Sequence, residues 1–287
     1  MSEYNGNTEI DKATVDLIIK KIKEKTMTKT IKIIENEGIN LSIFDSKFGG
    51  LPYWEEKDEY PTDENGEGLI LLAQINFERT PINDNRFPKT GILQFFIGTN
   101  DIMGVDFDKL NNQKGFRVVY HENINNNLTK EEVRSQGIRA NTDLDGASEE
   151  YFPFYKQYEI ELEDAIEPIS SATNKFEDIL LEVEKEVLGI DNITEPWSII
   201  EDEDADHIND EFYICGHRIL GYPFFTQWDP REKDDTYKGK KYDTLLLQID
   251  SVGDILWGDS GVGNFFINEQ DLINKEFSDV LYTWDCY

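Results

Sequence analysis

Apolar residues recur at helical spacing in two separate segments of the chain. Across residues 10–25 they fall at the intervals expected for one buried helix face, with lysines on the opposite face. A second and more regular pattern runs over residues 176–188, where Asn174 is predicted to open the helix and Gly189 to end it. We therefore predict two amphipathic helices, each covering one side of a sheet.

The remaining apolar residues form runs that are too short for ordinary helices. Residues 69–76 are one such run and are predicted to be a buried strand. Two β-rich runs, at 30–34 and 39–44, flank Asn36-Glu37-Gly38 and predict a hairpin. The other predicted strands are residues 92–97, 116–121, 151–162, 212–225, 244–250, 255–257, 264–267 and 280–284.

Three blocks of sequence occur twice, in the same order. Phe95-Phe96-Ile97, Asp101-Ile102 and Phe107 match Phe265-Phe266-Ile267, Asp271-Leu272 and Phe277, each 170 positions later. Residues 71–76 match 245–250, and residues 50–54 match 221–225. A repeat of this length indicates two copies of one structural unit.

These patterns predict an α+β fold that is internally duplicated. We expect two halves, each a helix plus an antiparallel sheet, packed around a shared core. Residues 1–165 would form the first half with the N-terminal helix, and residues 166–287 the second half with the helix that precedes it. The two halves are expected to form one compact unit.

The chain is strongly acidic, and the excess lies in one part of it. The net charge is −31, from 59 acidic and 28 basic residues, yet residues 1–50 are neutral. Such a field repels nucleic acid and anionic lipid, so we expect neither as a partner. It attracts basic proteins, although solubility alone also accounts for it.

Cysteine content and hydropathy bear on the compartment. Cys215 and Cys286 are too few for a disulfide framework. Residues 1–11 are polar, with no apolar run to serve as a signal peptide, and no later stretch predicts a membrane span. These features predict a cytoplasmic protein.

Polar residues stand at equivalent places inside two of the repeated apolar strands. Buried amides must be hydrogen-bonded, which allows either a structural role where the halves join or a place in a ligand cleft between them. Aromatic residues cluster around the same blocks and could belong to the core or to that cleft. The candidate residues are Gln74, Asn76, Gln248, Asp250, Tyr53, Trp54, Phe224 and Trp257.

No motif predicts catalysis, a metal or a cofactor. Gly258-Asp259-Ser260-Gly261 has the letters of a serine-protease nucleophile loop, but the surroundings of the three histidines do not match that family. Alternating acidic residues at 141–145 and 202–206 lack the glutamate that completes a calcium loop. We predict no catalytic residues, no metal site and no cofactor.

The repeated blocks give the chain a resemblance to the YwqG-like family, a bacterial domain of unknown function. The resemblance implies an α+β fold with an internal repeat and brings no catalytic residues, and some members are neighbours of secreted-toxin systems. It rests on Phe48-Gly49-Gly50-Leu51-Pro52-Tyr53, residues 71–77, residues 91–97, Gly221-Tyr222-Pro223, residues 245–250, Trp257-Gly258-Asp259 and Cys286-Tyr287.

Two functions are compatible with these observations. The first is a non-enzymatic module that binds a basic protein, in the manner of an immunity protein, and it follows from the charge of −31. The alternative is a small-molecule-binding protein or hydrolase with a cleft between the two repeats.

Overall fold

Ten strands in the part of the chain that is described form one antiparallel sheet. A computed structural model describes residues 10–146, 150–233, 237 and 242–287, so most of the stretch used to predict the absence of a signal peptide lies outside it. The strands are β1 Thr28–Glu37, β2 Lys47–Phe48, β3 Ile70–Asn76, β4 Ile92–Ile97, β5 Phe116–His121, β6 Tyr158–Glu167, β7 Arg218–Leu220, β8 Thr244–Asp250, β9 Val262–Ile267 and β10 Leu281–Asp285.

The strand order is β10-β9-β8-β7-β1-β6-β2-β3-β4-β5. This order is symmetric about its centre. If each of the strands β1–β5 is exchanged with the strand numbered five higher, the same order is obtained when the sheet is read from its other edge. β1 and β6 are adjacent at the centre of the sheet. On its other side β1 pairs with β7, whereas β6 pairs with β2. β3 and β8 also carry a register shift at the same place, at Leu71/Ala73 and Leu245/Leu247.

The sheet curls into a nearly closed barrel around the main apolar core. Its two ends approach each other, because the Phe116 ring of β5 lies 5.2 Å from the Tyr282 ring of β10. Phe265 of β9 lies 5.1 Å from Phe95 of β4 and also contacts Phe116. Inward-facing side chains of both ends therefore share one interior.

The helices begin and end where the capping residues allow. They are α1 Lys12–Thr26, α2 Lys130–Ser135, α3 Asn174–Leu188, α4 Asp202–Glu211, α5 Pro230–Lys233 and α6 Glu269–Asn274. Asp11 caps α1 by accepting from the Thr14 N–H (2.8 Å), and Gly189 ends α3 with a left-handed φ of 66°. The N-cap of α3 is Thr173, one residue before the predicted start.

The two predicted amphipathic helices form one layer instead of covering one half each. Ile18 of α1 and Leu180 of α3 belong to a single apolar cluster that also includes Ile208 of α4. Lys25 adds ion pairs across this layer to Glu182 (2.7 Å) and Glu186 (3.0 Å).

The predicted hairpin at residues 30–44 is wrong. β1 pairs with β6 and β7, and residues 39–44 form a loop. The carbonyls of Ile43 and Phe44 accept from side-chain amides of Gln74 and Asn76, so they are not available to a neighbouring strand.

Of the predicted strand at residues 212–225 only β7, Arg218–Leu220, forms, and residues 255–257 form no strand. The predicted strand at residues 151–162 is displaced towards the C-terminus and appears as β6, Tyr158–Glu167. Residue 165, the predicted boundary between halves, therefore falls inside a central strand. The division into residues 1–165 and 166–287 stays a prediction.

Candidate functional site

The outer face of the sheet carries two clusters of polar side chains, one on strands β2–β4 and one on strands β7–β9. Directly paired residues of neighbouring strands project to the same face, and the pairing places one polar residue from each of three strands side by side. The first polar cluster is Lys47, Gln74 and Gln94 on β2, β3 and β4, and the second is Arg218, Gln248 and Asn264 on β7, β8 and β9.

Gln74 is the centre of the first polar cluster. It is fully buried, and its Nε2 donates to the carbonyls of Ile43 (2.8 Å) and Asp45 (2.9 Å). Its Oε1 accepts from the Tyr53 N–H (3.0 Å) and from Gln94 Nε2 (2.8 Å). One amide thus ties the loops on both sides of β2 to β3 and satisfies its own donors and acceptor.

Lys47 is a buried amine without a carboxylate partner among the described residues. Its Nζ donates to the carbonyls of Ser42 and Leu51, each at 2.7 Å. Burial lowers the pKa of Lys47 to about 7, and the nearby charge of Asp45 only partly opposes this. Near neutral pH the amine therefore exchanges between its charged and neutral forms.

His121 closes the first polar cluster on the side of β5. Gln94 Oε1 lies 2.9 Å from His121 Nε2 and accepts from it, because the Gln94 nitrogen already donates to the Tyr53 carbonyl (2.8 Å). The imidazole lies edge-on to the rings of Tyr53 and Trp54, at 5.1 and 5.0 Å. Burial lowers the pKa of His121, which favours the neutral ring.

Tyr53 and Trp54 are covered by segments that follow them in the chain. The Tyr53 hydroxyl donates to Glu55 (2.7 Å) and accepts from the Asn125 N–H (2.9 Å), and burial raises the pKa of Tyr53 to about 12. Gln136, at the end of α2, donates to the Trp54 carbonyl (3.3 Å). Both rings are therefore enclosed by protein.

The second polar cluster repeats the main contacts of the first. Gln248 Oε1 accepts from the Phe224 N–H (2.7 Å), as Gln74 does from Tyr53. Asn264 Nδ2 donates to the Phe224 carbonyl (3.0 Å), as Gln94 does to that of Tyr53. Gln248 Nε2 donates to Gly216 (2.7 Å).

The cation of the second polar cluster has a carboxylate partner. Arg218 is buried, and its Nη1 lies 2.8 Å from Glu167 of β6. Glu167 also pairs with Lys32 (2.8 Å), and Arg218 donates to the Cys215 carbonyl. Burial lowers the pKa of Arg218, and Glu167 opposes this shift.

Asn76 and Asp250, at equivalent strand ends, each hold a neighbouring loop. Asn76 Nδ2 donates to the Phe44 carbonyl (2.8 Å), and Asp250 Oδ2 accepts from the Gly216 N–H (2.6 Å). The Asp250 N–H donates to Nδ1 of His217, whose pKa burial lowers to about 4. Burial raises the pKa of Asp250.

The predicted site residues are not brought to one place. The first polar cluster contains Gln74 and is bordered by Asn76, Tyr53 and Trp54. The second contains Gln248 and is bordered by Asp250 and Phe224, and four strands separate β3 from β8. Trp257 lies in neither, because it packs inside the barrel 6.5 Å from Tyr282.

The sequence carried signals for the residues that were missed. Gln94 and Asn264 both precede a Phe-Phe-Ile block and stand 170 positions apart. Lys47 and Arg218 are 171 positions apart, but their types differ and β2 and β7 are short, so no periodicity marks them.

A pocket of about 340 Å³ opens beside Phe224. The Phe224 ring contacts Tyr213 (5.1 Å, edge-on), which follows α4. We call this the Phe224 pocket. Its lining residues are Ser171, Ala172, Thr173, Glu177, Tyr213, Phe224, Phe225, Thr226, Gln227 and Tyr287.

A row of exposed carboxylates runs along the outer face of β6. Glu159, Glu161 and Glu163 alternate along the strand, and none forms an ion pair with any residue the structure describes. Lys32 of β1 is directly paired with Glu163 but forms its ion pair with Glu167. Glu161 pairs directly with Ile34 of β1, whose side chain is 43% exposed. We call the surface formed by these three glutamates and Ile34 the β6 acidic face.

Within the described ranges, no group of three or more His, Cys, Asp and Glu side chains is arranged to hold a metal ion. The helices of the same ranges include none long and apolar enough to cross a membrane.

Comparison with known proteins gives a family and no activity. The search of curated proteins found no similar sequence. A family model described as a domain of unknown function, DUF1963, matches residues 46–286, which include every strand from β2 to β10 and both polar clusters. The chain belongs to the DUF1963 family.

Proposed function

We propose that this protein is a non-enzymatic module of the cytoplasm that binds a basic protein, in the manner of an immunity protein. The observation that carries the proposal is the β6 acidic face, in a chain with a net charge of −31. The resemblance to YwqG-like proteins, some of which are neighbours of secreted-toxin systems, supports the same function.

The β6 acidic face has the chemistry of a recognition surface. The backbone that carries its carboxylates is held in register by the ten residue pairs of β1 and β6, so no backbone segment has to become ordered when a partner binds. Ile34 supplies an apolar centre, and the exposed Glu161 lies directly opposite it. Apolar centres with charged surroundings are typical of protein interfaces.

The charge also predicts how the partner would bind. A field of one sign accelerates the encounter with an oppositely charged protein, and salt screens this attraction. We therefore expect a basic partner whose association is fast at low ionic strength and slower as salt is added.

Copurification from the native host at low salt, followed by elution at stepped ionic strength, tests the proposal. The variant E159Q/E161Q/E163Q should lose the partner. The control E203Q/D206N/D210N removes three exposed carboxylates that form no ion pair with described residues of the chain, on α4, and should retain it. Equal loss in both variants would indicate attraction by net charge alone, and an eluate without a basic protein would contradict the function.

The alternative, a ligand cleft between the repeats at the two glutamines, receives less support. Gln74 and Gln248 are both buried and bonded to backbone groups.

We also infer that the fold arose by internal duplication. The palindromic strand order, the matching register shifts and the equal contacts of the two polar clusters support this inference. A fusion of the segment β1–β5 to a second copy of itself should fold if the inference is right.

A further inference from the structure

We propose that the Phe224 pocket binds the cationic side chain of a lysine or arginine. The inference deepens the function proposed above and rests on it, since a basic partner supplies such side chains. It names a site apart from the β6 acidic face.

The pocket contains one charged lining residue, and it is acidic. Glu177 lies in the first turn of α3, is exposed, and forms no ion pair with the described residues. The nearest basic residue along α3, Lys175, lines a separate cavity of about 120 Å³. A cation that enters the Phe224 pocket therefore meets a carboxylate without a competing ammonium group on its wall.

Four of the remaining lining residues are aromatic, and two of these, Tyr213 and Tyr287, are exposed. Tyr213 and Phe224 lie edge-on to each other, with ring centroids 5.1 Å apart, and Tyr287 borders the same space. The faces of such rings attract ammonium and guanidinium groups. Tyr213 and Tyr287 are 52% and 68% exposed, so a side chain from another protein can reach them.

Acceptors complete the lining. Gln227 Nε2 donates to the Cys286 carbonyl (2.7 Å), and its amide oxygen accepts no bond from the described residues. The Thr173 hydroxyl donates to the Ser170 carbonyl (2.9 Å), which leaves its oxygen as an acceptor. An ammonium group needs such acceptors for its three donors.

The pocket is held in shape before any ligand binds. Gln248 and Asn264 fix the Phe224 backbone at 2.7 and 3.0 Å. The Asp285 carboxylate accepts from the N–H groups of Thr226 (3.2 Å) and Gln227 (3.0 Å). A preorganised site loses less entropy on binding.

The test is a titration of the full chain with Nα-acetyl-lysine methylamide, followed by ¹H–¹⁵N NMR at Phe224, Gln227 and Tyr287. We expect saturable shifts at these amides with the lysine derivative and its arginine counterpart. The norleucine derivative, which lacks the charge, should give none.

Substitutions separate the pocket from the general field. E177Q should weaken binding roughly two- to fivefold. D178N removes the neighbouring exposed carboxylate of α3, which does not line the pocket, and should leave the affinity unchanged. Y213L should weaken binding more than Y213F, because only the first removes the ring.

Three outcomes would overturn the proposal: equal binding of norleucine, equal loss in E177Q and D178N, or saturation by a monosaccharide with no response to lysine. Failure here together with capture of a partner by the β6 acidic face would leave the proposed function standing. Lysine binding without any captured partner would remove the function and retain the pocket.

Discussion

The two polar clusters use the same framework to hold different cations. In both, a glutamine on β3 or β8 accepts a hydrogen bond from the backbone N–H of an aromatic residue. A side-chain amide on the next strand, β4 or β9, donates to the carbonyl of the same aromatic residue. Among the described residues Lys47 has only carbonyl partners, whereas Arg218 is paired with Glu167. A scaffold of backbone contacts thus persists while the charged member changes.

The difference lies in what surrounds the held aromatic residue. Tyr53 is enclosed by His121, Glu55 and Asn125. Phe224, the equivalent residue, is also buried, but it contacts Tyr213 and borders the Phe224 pocket. The first polar cluster therefore holds an enclosed aromatic residue, whereas the second holds one that borders an accessible pocket.

The largest effect on stability is expected when the central glutamines are compared. Q74L leaves Tyr53, Ile43 and Asp45 without their partner and should lower the free energy of unfolding by about 4 kcal/mol. Q248L leaves the Phe224 N–H without a partner and leaves the Gly216 carbonyl with only the longer bond from Arg218 Nε (3.5 Å), and should cost about 2 kcal/mol. Urea unfolding at pH 7.5 measures both losses. Equal losses would mean that the first polar cluster is not more connected than the second.

The cations should differ in their dependence on pH. Folding lowers the pKa of Lys47 from 10.5 to about 7, so between these values the unfolded chain binds more protons and stability rises with pH. The gap in unfolding free energy between wild type and K47M should therefore shift in favour of wild type by up to about 1.4 kcal/mol per pH unit, or about 2 kcal/mol from pH 7 to 9, because the slope at pH 7 is only half of its maximum.

R218M serves as the comparison, because the guanidinium stays charged beside Glu167 and its gap should not change over this range. K20M, at an exposed lysine, controls for ordinary titration. Parallel curves for K47M and R218M would show that Lys47 keeps an ordinary pKa in the folded protein.

The sequence predicted the strands of the repeated blocks because their signals are local. Residues 92–97 and 244–250 are short apolar runs, and both are strands. The α+β class was also confirmed, and α3 ends at Leu188 before Gly189 as its pattern indicated.

The failures involve contacts between distant parts of the chain. β1 was expected to pair with residues 39–44, but its partners are β6 and β7, more than 100 positions away. The buried state of Lys47 depends on the carbonyls of Ser42 and Leu51, which no hydropathy pattern reveals. The equivalence of Tyr53 and Phe224 was visible, yet the pocket beside one of them requires Tyr213 from another segment.

The smallest effects are expected from exchanging the ring types of Tyr53 and Phe224. Y53F removes the hydroxyl that bonds Glu55 and Asn125 and should cost about 1.5 kcal/mol, because the Asn125 N–H loses its acceptor. F224Y adds a hydroxyl beside a pocket with room for it and should change stability by less than about 0.5 kcal/mol. Thermal unfolding of the two variants measures the contrast. A loss in F224Y as large as that in Y53F would mean that the pocket beside Phe224 does not accommodate the added hydroxyl, and the accessible space that distinguishes the second polar cluster would then be absent in solution.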